Sequence, residues 1–170
     1  MLLGKKHRRI LPNLVSTHFS PYLYFVRGFS ALRRLKSRKA PYSEVSKGLY
    51  IGGWPSSPEK MPSGNPAVID CTYTRSPDPG AMESSIRWAL RKRTQNTPIF
   101  IHCAYGHGRS VALMCALLVG LGVVDDWKNG EKLIKEKQPY IRMSALHRKA
   151  LEEWSMNRLS PQKNGSNARY

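Results

Sequence analysis

"PIFIHCAYGHGRSVALMCALLVGLG", residues 98 to 122, decides how this chain folds. PIFIH reads as a buried strand, and RSVALMCALLVGLG as an apolar helix closed by Gly120 and Gly122. The loop between them is short, so several backbone N–H groups at the helix start have no intrahelical partner and the helix dipole presents positive charge there. Such a place binds anions. Gly106 and Gly108 let the backbone curl until its amides converge on one tetrahedral oxyanion. Arg109 adds a bidentate fork for two of its oxygens. The same positive field favours the thiolate of Cys103, which is the reactive form of the side chain. A thiolate beside a bound phosphate implies phosphoryl transfer to sulfur. Ser110 can donate its hydroxyl to that sulfur and help it leave when water attacks the phosphocysteine. His102 reads as a residue that orients the loop from behind rather than as a base.

Outward from this loop the chain alternates. "GLYIGG" (48 to 53) reads as a short strand closed by glycines, and "AVIDC" (67 to 71) as a second buried strand. "PGAMESSIRWALRKRTQN" (79 to 96) places Met82, Ile86, Ala89 and Leu90 on one helical face, with its basic residues near the end where the dipole favours them. "DDWKNGEKLIKEKQPYI" offers another helix that Pro139 ends, and "MSALHRKALEEWSM" a last one with Ser144 as N-cap. "SPQKNGSNARY" is a polar tail with a disordered composition.

At 170 residues the chain has the length of one domain. Lys and Arg total 28 against 11 acids, for a net charge of +17. Residues 1 to 40 hold ten of the basic residues and no acid, the first carboxylate being Glu44. This basic leader has an apolar run from Leu14 to Leu32, interrupted by His18, Pro21 and Arg27, which makes a poor transmembrane span. Its composition fits an interfacial membrane anchor, an organelle transit peptide or a disordered basic segment. Cys71, Cys103 and Cys115 lack metal-ligand spacing and cannot all pair, which points to a reducing, intracellular compartment rather than a secreted disulfide scaffold. The leader lacks aromatic stacking platforms or a recognised motif for nucleic acid, so no such partner is expected.

The Cys-x5-Arg pattern, with His102 before it and Ser110 after it, resembles the signature loop of the cysteine-dependent protein tyrosine and dual-specificity phosphatases. "EVSKGLYIGG" resembles the opening strand of dual-specificity domains and "KEKQPYIRMSALHRKALEEW" their closing helices. The wording "HCAYGHGRS" with "LYIGGWP" is most similar to a YnbD-like branch, whose members carry N-terminal membrane segments. The resemblance implies an α/β fold with a small central sheet flanked by helices. It divides the chain into a basic leader (1–43), a catalytic domain (44–156) and a polar tail (157–170). It implies a nucleophile at Cys103, a phosphate clamp at Arg109, a thiolate-stabilising hydroxyl at Ser110 and an amide cradle from Ala104, Tyr105, Gly106, His107 and Gly108. No cofactor or metal is implied. The implied substrates are phosphotyrosine and phosphoserine or phosphothreonine proteins, with phosphoinositides or other phospholipids as the alternative. An anionic membrane surface is the partner suggested by residues 1 to 40.

The sequence departs from the family where the general acid belongs. Between "AVIDC" and the following helix only "TYTRSP" intervenes before Asp78, so one strand and the usual acid loop are expected to be absent. Tyr73 and Thr74 stand about where the acid falls; Asp70 and Asp78 are the carboxylates available, and Asp78 equally suits the N-cap of the helix starting at Pro79. A chain without its acid becomes an impaired, phosphate-binding phosphatase relative. Cys71 reads either as a small buried residue or, as in some relatives, as the redox partner of the nucleophile. Cys115 reads as core. Tyr105 and His107 read as pocket rim or as plain exposed side chains. Arg87, Arg91, Lys92 and Arg93 read as a solvated helix face or as a basic patch near the mouth.

Overall fold

The computed structural model describes residues 8–10, 24–25, 28–29, 41–55, 58–72 and 78–159. Its centre is a five-stranded sheet: β1 (Arg8–Ile10), β2 (Tyr42–Ser46), β3 (Leu49–Gly53), β4 (Ala67–Asp70) and β5 (Ile99–Cys103). The order across the sheet is β1-β4-β5-β3-β2. β1, β4, β5 and β3 run parallel, and β2 returns antiparallel at the edge as half of a hairpin with β3. Gly48 makes that hairpin possible: its φ of 72° lies in the left-handed region, and Glu44 Oε1 accepts its N–H at 2.8 Å.

Four helices follow the strands: α1 (Pro79–Thr94), α2 (Arg109–Gly120), α3 (Trp127–Lys137) and α4 (Ala145–Leu159). α2 is apolar all round because it is surrounded. It packs against β3 and β5 and touches each of the other three helices, and every residue from Ser110 to Leu118 is buried. Gly130 of α3 permits its close approach, since a Cβ there would stand 3.3 Å from the Cys115 backbone. Cys115 is fully buried, and burial pushes its thiol far up, as expected of a core cysteine. Met82, Ile86 and Ala89 are the buried stripe of α1, whereas Leu90 is half-buried against the same core.

The alternation of β5 divides the sheet into two faces. Ile99, Ile101 and Cys103 face the helical core. Phe100 and His102 face the other way and meet aromatic rings: Tyr42 lies 6.1 Å from Phe100, and Trp54 lies 5.3 Å from His102. Phe100 is completely buried, which for a side chain of its kind is worth about 1.5–3 kcal/mol.

Two features of the sheet depart from the sequence reading. The compositional boundary at residue 43 cuts across the sheet: Tyr42 and Ser43 belong to β2, and β1 comes from within the basic leader, pairing Arg8 to Ile10 with Val68 to Asp70. Eight residues, 71 to 78, separate β4 from α1, and β1 is the strand that stands beside β4 at the edge of the sheet. The basic end of α1 also lies away from the loop. Parallel strands put their C-terminal ends on one edge, and α1 leaves that edge at Asp78 and runs back. Arg93 accordingly donates to the carbonyls of Lys47 and Thr97 on the far edge.

Candidate functional site

The 103–109 loop leaves the C-terminal end of β5, in the middle of the parallel strands, and enters α2 at Arg109. Its shape depends on contact with the neighbouring strand. Gly106 has a φ of 76°, and a Cβ on it would stand 2.5 Å from the Gly52 carbonyl carbon and 2.7 Å from the Gly53 nitrogen. Glycine is therefore required at 106 twice over, by dihedral and by space. The glycines of "LYIGG" do not merely close β3. They are its last two residues, paired with His102 and Cys103, and they make the floor on which the loop rests.

The outer carbonyls of the loop are tied to the connection between α3 and α4. Gln138 donates its side-chain N–H to the Gly106 carbonyl at 3.3 Å, and the Arg142 amide donates to the His107 carbonyl at 2.7 Å. Of the loop amides, that of Gly106 points inward, to the Cys103 sulfur. Tyr105 is 37% exposed, and its ring lies 6.5 Å from that of the partly exposed His107.

Cys103 is buried at the bottom of the loop. Its Sγ lies 3.3 Å from Ser110 Oγ and accepts the Gly106 N–H at 3.2 Å. Burial alone raises its pKa, but the Ser110 hydroxyl and amide, the Arg109 charge and the Gly106 amide outweigh it and hold the thiol below its ordinary value. Arg109 begins α2 and donates to the Thr72 carbonyl, two residues past the end of β4, so its guanidinium is braced by the turn that follows that strand. Cys71 stands one residue beyond the Asp70–His102 pair, with its amide donating to the His102 carbonyl at 2.8 Å. Its thiol is pushed up by burial and then by the neighbouring Cys103 and Asp70, against the pull of Arg109. Of the three buried cysteines, only Cys103 has an environment that favours the thiolate.

His102 is buried on the aromatic face, behind the loop, with Nδ1 3.7 Å from Asp70 Oδ1. Asp70 Oδ1 also accepts the Thr72 amide at 2.8 Å, which turns the chain at the end of β4. Asp78 is the N-cap of α1, its Oδ2 accepting the Ala81 amide at 2.8 Å. Tyr73 and Thr74 lie outside the described residues. Among the described residues no group of three His, Cys, Asp or Glu side chains is placed to hold a metal ion.

No family model and no curated protein sequence matches the chain. Solved structures do. A human tyrosine phosphatase-like serine/threonine/tyrosine-interacting protein superposes with a TM-score of 0.61 at 15% identity, covering 72% of this chain and all of that one. The fold is that of the dual-specificity and tyrosine phosphatases. Human DUSP28 shares this phosphatase fold with a TM-score of 0.61 at 13% identity, over 70% of this chain and 95% of its own. PTPMT1 shares it with a TM-score of 0.58 at 12% identity, over 68% and 94%, and a second PTPMT1 structure is a complex with PI(5)P. At these identities the likeness concerns the fold.

The sequence reading missed three contributors to the loop. Gly52 and Gly53 are its floor, and Gln138 is its strap. His147 is the third: a Cβ on Gly108 would stand 2.7 Å from its Cε1. The Ser144 N-cap carried a signal for this last one, because an N-cap and the residue three positions on form a reciprocal pair. Ser144 Oγ accepts the His147 amide at 3.3 Å, and His147 Nδ1 accepts the Ser144 amide at 3.1 Å.

Proposed function

We propose that this chain is a phosphoric monoester hydrolase of the dual-specificity type, with Cys103 as nucleophile. The observation that carries this reading is the sulfur's environment: a buried thiol held low by Ser110, Arg109 and the Gly106 amide at the head of a helix. The Cys103 thiolate attacks phosphorus from the loop floor. The S–P bond forms, the P–O bond to the alcohol or phenol breaks, and the leaving oxygen keeps the electron pair and takes a proton. Arg109 and the amides of residues 104 to 108 hold the non-bridging oxygens as charge builds on them. Water then attacks the phosphocysteine, the S–P bond breaks, and sulfur departs as a thiolate that Ser110 and Gly106 stabilise.

The proton for the leaving oxygen is the step for which the chain has least. Asp78 is the carboxylate that follows β4, and we assign it the acid role subject to the test below. A general acid is worth about 10²- to 10⁴-fold in rate. Substrates with poor leaving groups therefore depend on it, whereas an activated aryl phosphate does not. The substrates proposed are phosphotyrosine and phosphoserine or phosphothreonine proteins. A phosphoinositide or other phospholipid is the alternative, supported by the PTPMT1 complex and by the leader, whose Tyr24, Phe25 and Phe29 are exposed among basic residues. That composition supports an intracellular chain whose leader meets an anionic membrane surface.

A second reading has its own observation. Only eight residues, 71 to 78, separate β4 from α1, and one protein of the same fold is by name phosphatase-like and interacting. In that reading the loop holds phosphate without turning it over. Single-turnover and steady-state hydrolysis of an aryl phosphate beside a phosphotyrosine peptide, with Cys103→Ser and Asp78→Asn, separates the two. Turnover of both substrates that needs Cys103, with Asp78→Asn slowing the peptide selectively, supports the enzyme. Phosphate binding to a folded chain without turnover of either supports the binding module.

A further inference from the structure

His147 lies outside the 103–109 loop in sequence and against it in space. Its ring edge covers Gly108, the N-cap of α2, so closely that any side chain at 108 would displace it. A Cβ at 108 would meet the ring first, at 2.7 Å, and then the Arg142 carbonyl oxygen at 3.2 Å, so the ring is the nearest of the groups that crowd this position. The Ser144 amide donates to Nδ1, so the ring proton resides on Nε2. Nε2 makes no hydrogen bond among the described residues, and the ring is half-buried rather than sealed.

We infer that His147 is a substrate-contacting residue whose Nε2–H donates to an oxygen of the phosphoryl group seated in the 103–109 loop. The inference rests on the phosphate-binding reading of that loop and adds to it a donor from α4. The surroundings suit a fixed donor. Burial, and then the Arg109 charge, lower the His147 pKa and keep the ring neutral with its proton on Nε2. A neutral imidazole used as a hydrogen-bond donor avoids adding a second full positive charge beside Arg109 in the empty loop. The other charged side chains near this end of α4 are differently engaged: Arg148 pairs with Glu131 at 2.7 Å, and Arg142 meets the loop through its backbone.

The test uses the full chain and inorganic phosphate, with binding read by calorimetry so that turnover is not required. His147→Gln and His147→Glu both preserve a capping pair with Ser144, and thermal unfolding confirms that each is folded. Glutamine keeps a donor, and glutamate replaces it with a negative acceptor. The expected result is near-wild-type phosphate affinity for His147→Gln and a loss of about tenfold or more for His147→Glu, the scale of a hydrogen bond to a charged group. In the wild type, the Nε2 nitrogen and proton resonances of His147 are expected to shift on phosphate addition. Wild-type affinity in His147→Glu, or Nε2 resonances unmoved at saturating phosphate, would overturn the inference while leaving the loop's reading intact. Phosphate binding with the His147 signature but without turnover would sink the enzyme reading and keep the inference. A wild type that binds no phosphate sinks both.

Discussion

Ser110 Oγ lies 3.3 Å from Cys103 Sγ, in the first turn of the helix that the loop opens. Ser110 is fully buried, so its hydroxyl meets the sulfur rather than solvent. Cys103 is reactive above its depressed pKa, so alkylation by iodoacetamide and turnover of an aryl phosphate rise with pH through that value. Ser110→Ala removes the largest of the influences that lower it. The inflection is expected to move to higher pH, with alkylation below the wild-type inflection slower by about tenfold. An unmoved inflection means that Arg109 and the Gly106 amide suffice.

Gly106→Ala is expected to damage both fold and site. The left-handed φ and the clash with Gly52 demand that the loop lift off β3. A cost of about 1–3 kcal/mol in stability is expected, with loss of phosphate binding, as measured by thermal unfolding and calorimetry. Intact phosphate affinity in a folded Gly106→Ala chain would show that the floor made by Gly52 and Gly53 is dispensable.

Asp78 has a structural task that must be separated from the proposed chemical one. Asparagine caps a helix as well as aspartate, so Asp78→Asn should leave the unfolding temperature unchanged, while Asp78→Ala loses about 0.5–2 kcal/mol. If Asp78 is the acid, both variants slow a phosphotyrosine peptide by about 10²-fold or more and spare an activated aryl phosphate. Peptide turnover that falls only in the alanine variant identifies a cap and nothing more.

Cys103 ends β5 and Cys71 follows the last residue of the neighbouring parallel strand β4, and each is buried. Peroxide is expected to oxidise the Cys103 thiolate to a sulfenic acid, and the Cys71 thiol then displaces water to form a disulfide. Inactivation should therefore be fully reversed by dithiothreitol in the wild type and become progressively irreversible in Cys71→Ser. Equal recovery in both, with no disulfide seen by mass spectrometry, assigns Cys71 to packing alone.

Much of this molecule was legible along the chain. A five-residue strand, a glycine-bearing loop and an apolar helix in succession bring Cys103, Arg109 and Ser110 together by local rules, because all three lie within eight residues. Helix ends were legible for the same reason: Asp78 and Ser144 cap groups three residues away. What escaped reading lies far off in sequence. Nothing local to "LYIGG" says that its glycines will meet Gly106, and nothing in "SALH" says that the ring will cover Gly108. The basic leader illustrates the opposite error. Its charge sets it apart by composition, yet Arg8 to Ile10 pair with β4, because an open parallel edge accepts any short extended segment that reaches it.

By itself the sequence determined which residues share the loop and the alternation of strand and helix around it, since periodicity, caps and turn residues act over a few positions. Only the tertiary structure decided which strands are neighbours and therefore what surrounds the sulfur. The β3 floor, the Gln138 strap, the brace from Arg109 to Thr72 and the His147 ring are all brought by chain crossings over the sheet. A buried thiol would otherwise be pushed up by desolvation, as Cys71 is. Burial is the same for both cysteines; the dipoles and charge arranged around Cys103 make the difference.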